Sequence, residues 1–164
     1  GVPGRMEKIE TNKEFSVFVD YAPEPVGMED ALKALNQLPH NRIIHVFGST
    51  GGHRDIAKRF EFGKISASFA DVILVTNDDV YESNPKEITE NILEGINQIP
   101  EGHRKAKQVE TILDRKEAIS KALSMAKKDD IVLLTGKGSE QFLVLPGNKR
   151  IDWDERRVVQ ELLR

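Results

Sequence analysis

Two patterns of apolar residues, one typical of strands and one typical of helices, alternate along this chain of 164 residues. Short runs of apolar and β-branched residues predict buried strands. Between these runs, apolar residues recur every three or four positions, which is the pattern of one face of a helix. The runs that predict strands are residues 15–20, 42–47, 71–76, 108–113, 130–135 and 141–145.

Capping signals mark where several of the helices begin. Pro85 follows Asn84 at what would be the first helical position, and Glu117 stands three residues after Asp114. These residue types at this spacing are typical of helix starts, because their side chains accept hydrogen bonds from the first N–H groups. By the same reasoning, Asp152 marks the start of the last helix.

Strands and helices alternate throughout, which predicts the fold class. Such alternation is typical of an α/β protein with a doubly wound, mostly parallel, Rossmann-like sheet and helices on both faces. We expect the segment 141–145 to be an antiparallel edge strand. The central strands are predicted at residues 15–20, 42–47, 71–76 and 130–135.

Polar loops follow the predicted central strands at residues 20–26, 48–55, 76–84 and 136–140. The carboxyl ends of parallel strands share one edge of a sheet, and ligands bind there. Gly48, Gly51 and Gly52 would let backbone N–H groups approach an anion. Lys137, between two glycines, is interpreted as a cation near an anionic ligand, and the alternative is a solvated turn lysine. A pocket for a charged ligand is therefore predicted.

Composition narrows the class of protein. The length suits one domain, and a hydrophobic fraction of 38% with 31% charged residues fits a globular protein. A net charge of −3 argues against a nucleic-acid partner. No cysteine is present, and no apolar run reaches the roughly 20 residues of a membrane helix. We expect a cytoplasmic protein, and the opening residues 1–4 suggest a piece of a longer one.

Several familiar motifs are missing from the sequence. Neither the P-loop pattern G-x-x-x-x-G-K-S/T nor G-x-G-x-x-G occurs, which argues against a self-sufficient NTPase and a Rossmann dehydrogenase. The four histidines lack metal-ligand spacing, so no metal site is predicted. A serine hydrolase is also disfavoured, because no G-x-S-x-G elbow is present.

A set of spaced motifs carries a resemblance to a known family. The motifs are V-P-G-R-M-E at residues 2–7, V-D-Y-A at 19–22, V-F-G at 46–48 with K-R at 58–59, and G-K-G at 136–138 before Glu140. In this order they resemble the carboxy-terminal domain of Mur ligases, particularly the UDP-N-acetylmuramoyl-tripeptide synthetase type, MurE. The resemblance covers essentially residues 1–164 as a single domain, with residues 1–8 as the remnant of an interdomain hinge.

The resemblance implies an ATP-dependent ligase of peptidoglycan biosynthesis. Such an enzyme joins an amino acid to the carboxylate of a UDP-muramoyl-dipeptide through an acyl phosphate. In that family the P-loop, the Mg²⁺ ligands and the UDP-sugar site belong to two preceding domains. We therefore expect no catalytic residue within this chain, and we expect the chain alone to be inactive.

The resemblance also assigns binding residues by position. Those that match the nucleotide-binding segments are Arg5, Asp20 and Tyr21. Those that match the loops holding the incoming amino acid are Arg59, Asp78, Asp79, Tyr81, Gly136 and Glu140. An arginine can grip the carboxylate of the amino acid, and a glutamate can hold its ammonium group.

The residues at 78–81 lead to a hypothesis about the amino acid. Tyr81 stands where the diaminopimelate signature D-N-P-R has its arginine, and Asp79 adds a negative charge. L-lysine is therefore predicted over meso-diaminopimelate, unless Arg54 or Lys58 supplies the missing cation. Two other functions stay open: a cyanophycin-synthetase-like ligase and a non-catalytic nucleotide- or amino-acid-binding module. A generic flavodoxin-like domain is disfavoured by the motif spacing.

Overall fold

The computed structural model describes residues 2–52 and 55–164. His53 and Arg54 lie outside these ranges. That Arg54 supplies a cation to the pocket therefore stays a prediction. The strands are β1 Glu7–Ile9, β2 Ser16–Asp20, β3 Ile43–Phe47, β4 Val72–Val75, β5 Gln108–Thr111, β6 Ile131–Thr135, β7 Phe142–Leu145 and β8 Lys149–Asp152. The α-helices are α1 Pro25–Asn36, α2 Ile56–Phe69, α3 Pro85–Asn97, α4 Arg115–Met125 and α5 Glu155–Leu162.

A six-stranded sheet in the order β1-β2-β6-β3-β4-β5 organises the chain. The strands from β2 to β5 in this order run parallel, and β1 pairs antiparallel with β2. Every residue of β3, β4 and β6 is buried, as expected where helices cover both faces of a sheet. The predicted α/β fold, and its central strands β2, β6, β3 and β4, are confirmed.

The antiparallel edge prediction for residues 141–145 is wrong. The strand β7 pairs with β8 in a separate two-stranded sheet. The outward backbone groups of Val144 are taken up by the loop after β4: its carbonyl accepts from the Val80 N–H, and its N–H donates to the Asp79 carboxylate. The antiparallel member of the main sheet is instead β1, which overlaps the segment expected to be a hinge remnant.

Helix starts follow the capping signals, with one exception. The side chain of Asn84 accepts from the Lys86 N–H, and that of Asp114 accepts from the Glu117 N–H, as predicted. The last helix does not begin at Asp152, which ends β8. Asp154 caps it instead, and the helix runs from Glu155 to Leu162.

Two apolar layers cover the sheet. Helices α1, α2 and α3 contribute Met28, Phe62 and Ile92 to the layer on one face, and α4 and α5 contribute Ile119 and Val159 to the other. None of the helices in the described part of the chain combines the length and the hydropathy that a membrane span needs.

Candidate functional site

The four predicted loops meet in a pocket of about 250 Å³ at the carboxyl edge of the sheet. This volume suits a small ligand, since pockets for drug-sized molecules begin at roughly 300 Å³. The predicted meeting of these loops is therefore confirmed. Its lining includes Tyr21 and Glu24 from the first loop, Gly48–Thr50 and Asp55 from the second, Asp78, Asp79 and Tyr81 from the third, and Gly136 and Glu140 from the last.

Glycines allow these loops to approach one another closely. A Cβ atom at Gly48 would lie 2.2 Å from the Thr76 carbonyl oxygen, so only glycine fits at the end of β3. Gly136 has φ +118, and a Cβ there would lie 2.3 Å from the Asp78 carboxylate. The predicted Gly136 and Asp78 are thus adjacent, and the backbone of one makes room for the side chain of the other.

The glycine loop after β3 is itself held by internal hydrogen bonds. The Gly51 N–H donates to the Asp79 carbonyl oxygen at 2.7 Å, and the Gly52 N–H donates to the Ser83 hydroxyl at 2.7 Å. These two N–H groups therefore fix the third loop to the second. Neither is available as the anion-binding donor that the sequence suggested.

Asp78 and Glu140 give the pocket its acidic character. Burial raises the pKa of the Asp78 carboxyl, against the lowering effect of Arg115 and Lys137. Burial also raises the pKa of Glu140, opposed by Lys137 and reinforced by Asp79 and Asp78. A ligand ammonium would favour the ionised form of both carboxyl groups.

The carboxylate of Asp79 is already paired inside the protein. It accepts from Lys137 Nζ at 2.9 and 3.0 Å and from the Val144 N–H at 2.8 Å. Lys137 is 0% exposed, and its ammonium lies 4.7 Å from the centre of the Phe142 ring. The alternative of a solvated turn lysine is therefore wrong. Lys137 ties the fourth loop to the third.

Cations near the pocket are also engaged. Lys58 lines the pocket, and its Nζ lies 2.7 Å from Glu24 Oε1 and 3.3 Å from Asp55 Oδ2. Arg59 does not line it. The Arg59 guanidinium is buried and donates to the Gly52 carbonyl oxygen at 3.2 Å and to Asn91 Oδ1 at 3.0 Å. Its role as a carboxylate ligand stays a prediction.

Tyr81 lies at the rim of the pocket, and its backbone is hydrogen-bonded to the β7–β8 hairpin, the pair of strands Phe142–Leu145 and Lys149–Asp152. Its φ is 56°, in the left-handed region that non-glycine residues rarely adopt. The Tyr81 carbonyl oxygen accepts from the Asn148 N–H at 3.1 Å, in the β7–β8 turn. The side chain is 38% exposed and faces the pocket, so a substitution there would alter the lining without opening the core.

A second groove, of about 430 Å³, lies between the chain before β1 and helix α1. Its walls are mainly small and apolar, with Arg5 and Asp20 at the side. Asp20 accepts from the Met6 N–H at 2.8 Å; burial raises the pKa of its carboxyl, and Arg5 partly offsets this. The three residues predicted to bind nucleotide are therefore divided, because Tyr21 lines the first pocket.

Sequence reasoning missed an ion pair behind the pocket. Arg115 and Glu155 have 0% exposed side chains, with guanidinium-to-carboxylate distances of 2.9 and 2.7 Å. Burial alone would lower the pKa of Arg115, but Glu155 raises it. One signal was available: a cation in the first turn of a helix opposes the helix dipole and calls for a local partner.

Comparison with known proteins agrees with this architecture. The family model for the Mur ligase, glutamate ligase domain, matches residues 4–138. The UDP-N-acetylmuramoyl-L-alanyl-D-glutamate--2,6-diaminopimelate ligase 1 of Clostridium acetobutylicum is 41% identical over 165 residues, which is 99% of this chain and 32% of the relative. This chain thus spans about one third of the length of the curated relatives it matches.

Solved structures give the same result. A UDP-N-acetylmuramoyl-L-alanyl-D-glutamate--2,6-diaminopimelate ligase structure superposes with a TM-score of 0.85 and 30% identity over 99% of this chain and 32% of that one. The MurF ligase of Thermotoga maritima in complex with ADP shares the fold, with a TM-score of 0.58 and 21% identity over 99% of this chain and 31% of that one. From the family model and these relatives, the chain belongs to the Mur ligase family.

Proposed function

We propose that this chain is the amino-acid-binding, carboxy-terminal part of an ATP-dependent ligase of peptidoglycan biosynthesis. The reaction joins an amino acid to the carboxylate of a UDP-N-acetylmuramoyl-dipeptide. The observation that carries the proposal is the acidic pocket of about 250 Å³ in which Asp78, Gly136 and Glu140 meet. Named relatives of this family catalyse ligation of this kind, as their names state.

In this function, the pocket residues hold the nucleophile rather than activate the acceptor. Asp78 and Glu140 accept hydrogen bonds from N–H groups of the amino acid, and such a bond is stronger when one partner is charged. The loops then place its amino nitrogen, which attacks in the unprotonated form, toward the activated carboxyl group, and this positioning lowers the entropic barrier to attack. Acceptor activation belongs to parts of the ligase outside this chain.

The amino acid that we propose is L-lysine. Among the described residues no arginine lines the pocket beside Tyr81, and Lys58 is already paired with Glu24 and Asp55. The competing candidate is meso-diaminopimelate, because the relatives carry that name. Its second carboxylate would enter a pocket where Asp78 and Glu140 supply negative charge.

A substrate competition assay on the whole ligase tests this specificity. The expected result is a higher kcat/KM for lysine than for meso-diaminopimelate, by about tenfold or more, which is the worth of one lost charge-assisted bond. Tyr81→Arg should shift the preference toward diaminopimelate. Leu38→Arg, at an exposed position away from the pocket, is the matched control and should leave the ratio unchanged. A preference for diaminopimelate in the unaltered ligase would contradict the proposal.

ATP is the proposed nucleotide. The apolar groove beside Arg5 and Asp20 fits one side of a nucleotide base and ribose, and a family member with the same fold is named as an ADP complex. The residues do not fit Mg²⁺ on their own, since the described part of the chain holds no group of three or more potential ligands. We expect weak ATP binding and no ligation by residues 1–164 alone, measured by titration calorimetry and phosphate release.

A further inference from the structure

We infer that Arg115 is a positioning residue for amino-acid binding, and this inference rests on the proposed function. Its guanidinium Nη1 donates to the Asn77 carbonyl oxygen at 2.9 Å, and its Nη2 donates to the Thr135 carbonyl oxygen at 3.0 Å. Asn77 directly precedes Asp78, and Thr135 directly precedes Gly136. One rigid side chain therefore holds the two loops that carry the pocket residues.

The topology explains why such a connection is needed. Strands β4 and β6 are not neighbours, because β3 lies between them. Backbone pairing therefore cannot fix the end of β4 against the end of β6 directly. The planar fork of an arginine can bridge two carbonyls in fixed directions, which the ammonium of a lysine cannot reproduce.

The orientation of Arg115 is itself fixed by α5, the neighbouring helix in the same layer. Glu155, the first residue of α5, accepts from Arg115 Nε at 2.9 Å and from Nη2 at 2.7 Å. The Trp153 indole N–H donates to Glu155 Oε1 at 3.1 Å. Because every one of these groups is held, a displacement of Arg115 would move the Asp78 and Gly136 loops relative to each other.

Charge gives a second route from Arg115 to the pocket. Burial raises the pKa of Asp78, and Arg115 offsets part of that rise. The other charged or titratable groups facing Asp78 are Lys137, which also lowers its pKa, Asp79, which raises it, and Glu140 and Tyr21, which are affected by the Asp78 charge in turn. Loss of the guanidinium would therefore leave Asp78 protonated at a higher pH.

The test compares kinetic constants of the whole ligase. Arg115→Lys keeps the charge but loses the fork, and we expect its KM for the amino acid to rise about tenfold or more. Its KM for ATP should stay within about twofold of the unaltered value. Arg42→Lys is the matched control, because Arg42 forms an ion pair with Asp130 at the other end of the sheet. It should leave both KM values unchanged.

A double variant separates the two routes and guards against misfolding. Arg115→Met with Glu155→Leu replaces the pair by apolar side chains of similar size, an exchange that buried ion pairs often tolerate. We expect a raised KM for the amino acid and an acidic limb of kcat/KM that moves to higher pH. In Arg115→Lys the limb should stay in place.

The outcomes that overturn the inference are specific. An unchanged amino-acid KM in Arg115→Lys, with a lowered melting temperature like that of Arg42→Lys, would show a purely structural role. Equal rises in KM for the amino acid and ATP would do the same. If the unaltered ligase adds no amino acid, the proposed function fails first, and the inference falls with it.

Discussion

The two ends of the parallel sheet handle charge differently. At the amino end, Arg42 and Asp130 form an ion pair whose arginine side chain is 30% exposed. At the carboxyl end, the side chains of Arg115, Glu155 and Lys137 are 0% exposed. Burying charges is expensive, and ion pairing often repays it only in part. The buried ion pairs of the carboxyl end are therefore weak evidence of a net contribution to stability.

The acidic residues of these two ion pairs, Asp130 and Glu155, also differ in their hydrogen-bond donors. Asp130 accepts from the backbone N–H groups of Arg42 and Lys127 as well as from the Arg42 side chain. Glu155 accepts only from side chains, those of Arg115 and Trp153, among its described bonds. Loss of the cation would thus leave Asp130 bonded, while loss of Glu155 would leave a buried guanidinium without its carboxylate.

The largest expected effect follows from breaking the pair at the carboxyl end. Glu155→Leu should lower the free energy of unfolding by about 3–5 kcal/mol, because it leaves the Arg115 charge buried without compensation. Urea denaturation followed by circular dichroism measures this. The double variant Arg115→Met/Glu155→Leu is the control and should recover most of the loss. A loss below about 1 kcal/mol for the single variant would contradict the reading of this pair.

The second-largest expected effect is a pH dependence of stability that comes from His45, beneath the pocket. The ring bonds Ser66 Oγ at 2.7 Å and Thr135 Oγ1 at 2.9 Å, and burial lowers its pKa to about 3. The unfolded chain binds a proton below pH 6.5, whereas the folded chain does not until about pH 3. Stability from this group is full above pH 6.5 and falls as the pH drops through that window.

The expected magnitude is roughly 3 kcal/mol of unfolding free energy between pH 7 and pH 4, at 1.36 kcal/mol per pH unit. Urea midpoints at several pH values measure it. In the variant His45→Gln no group titrates at this position. Its unfolding free energy should therefore lose about 3 kcal/mol less than that of the unaltered chain between pH 7 and pH 4. Parallel pH profiles of the two proteins would refute the assignment.

Backbone crowding at the carboxyl end gives the next effect. Gly48→Ala should destabilise the fold by about 1–3 kcal/mol, since the new Cβ would lie 2.2 Å from the Thr76 carbonyl oxygen. Gly102→Ala is the matched control. Nothing lies within 4 Å of a Cβ at Gly102, so its midpoint should stay within about 0.5 kcal/mol. Equal losses of stability in the two variants would show that crowding between the loops does not require glycine at position 48.

The smallest effect is expected at the amino end. Arg42→Met should lower the unfolding free energy by about 1 kcal/mol or less, because the arginine is partly exposed and Asp130 keeps its backbone donors. Chemical denaturation beside Glu155→Leu makes the comparison direct. A loss as large as that of Glu155→Leu would show that both ends depend on their ion pairs equally.

Periodicity predicted the sheet well, because the central strands are buried on both faces and read as unbroken apolar runs. The hairpin was placed wrongly, since the apolar run at residues 141–145 cannot say which sheet or edge a strand joins. That choice depends on long-range bonds between Val144 and the loop after β4. Short β1 and β8 also escaped notice, having three and four residues with little apolar character.

The site was predicted in outline and missed in detail. Loop positions follow from strand ends, so the meeting of Asp78, Gly136 and Glu140 could be anticipated from the sequence. What could not be anticipated was which charges cancel inside the protein. Lys137 pairs with Asp79 across 58 positions, and Arg115 with Glu155 across 40, and local sequence does not identify a partner at such distances.

The β7–β8 hairpin has a consequence for how substitutions would act on the pocket. In the described chain it shares no ladder with the six-stranded sheet, yet its backbone holds Tyr81 through Asn148 and Asp79 through Val144. Substitutions in the hairpin would therefore reshape the rim of the pocket and leave the pairing of the six-stranded sheet intact. The lining of the pocket and the stability of the sheet then depend on different segments of the chain.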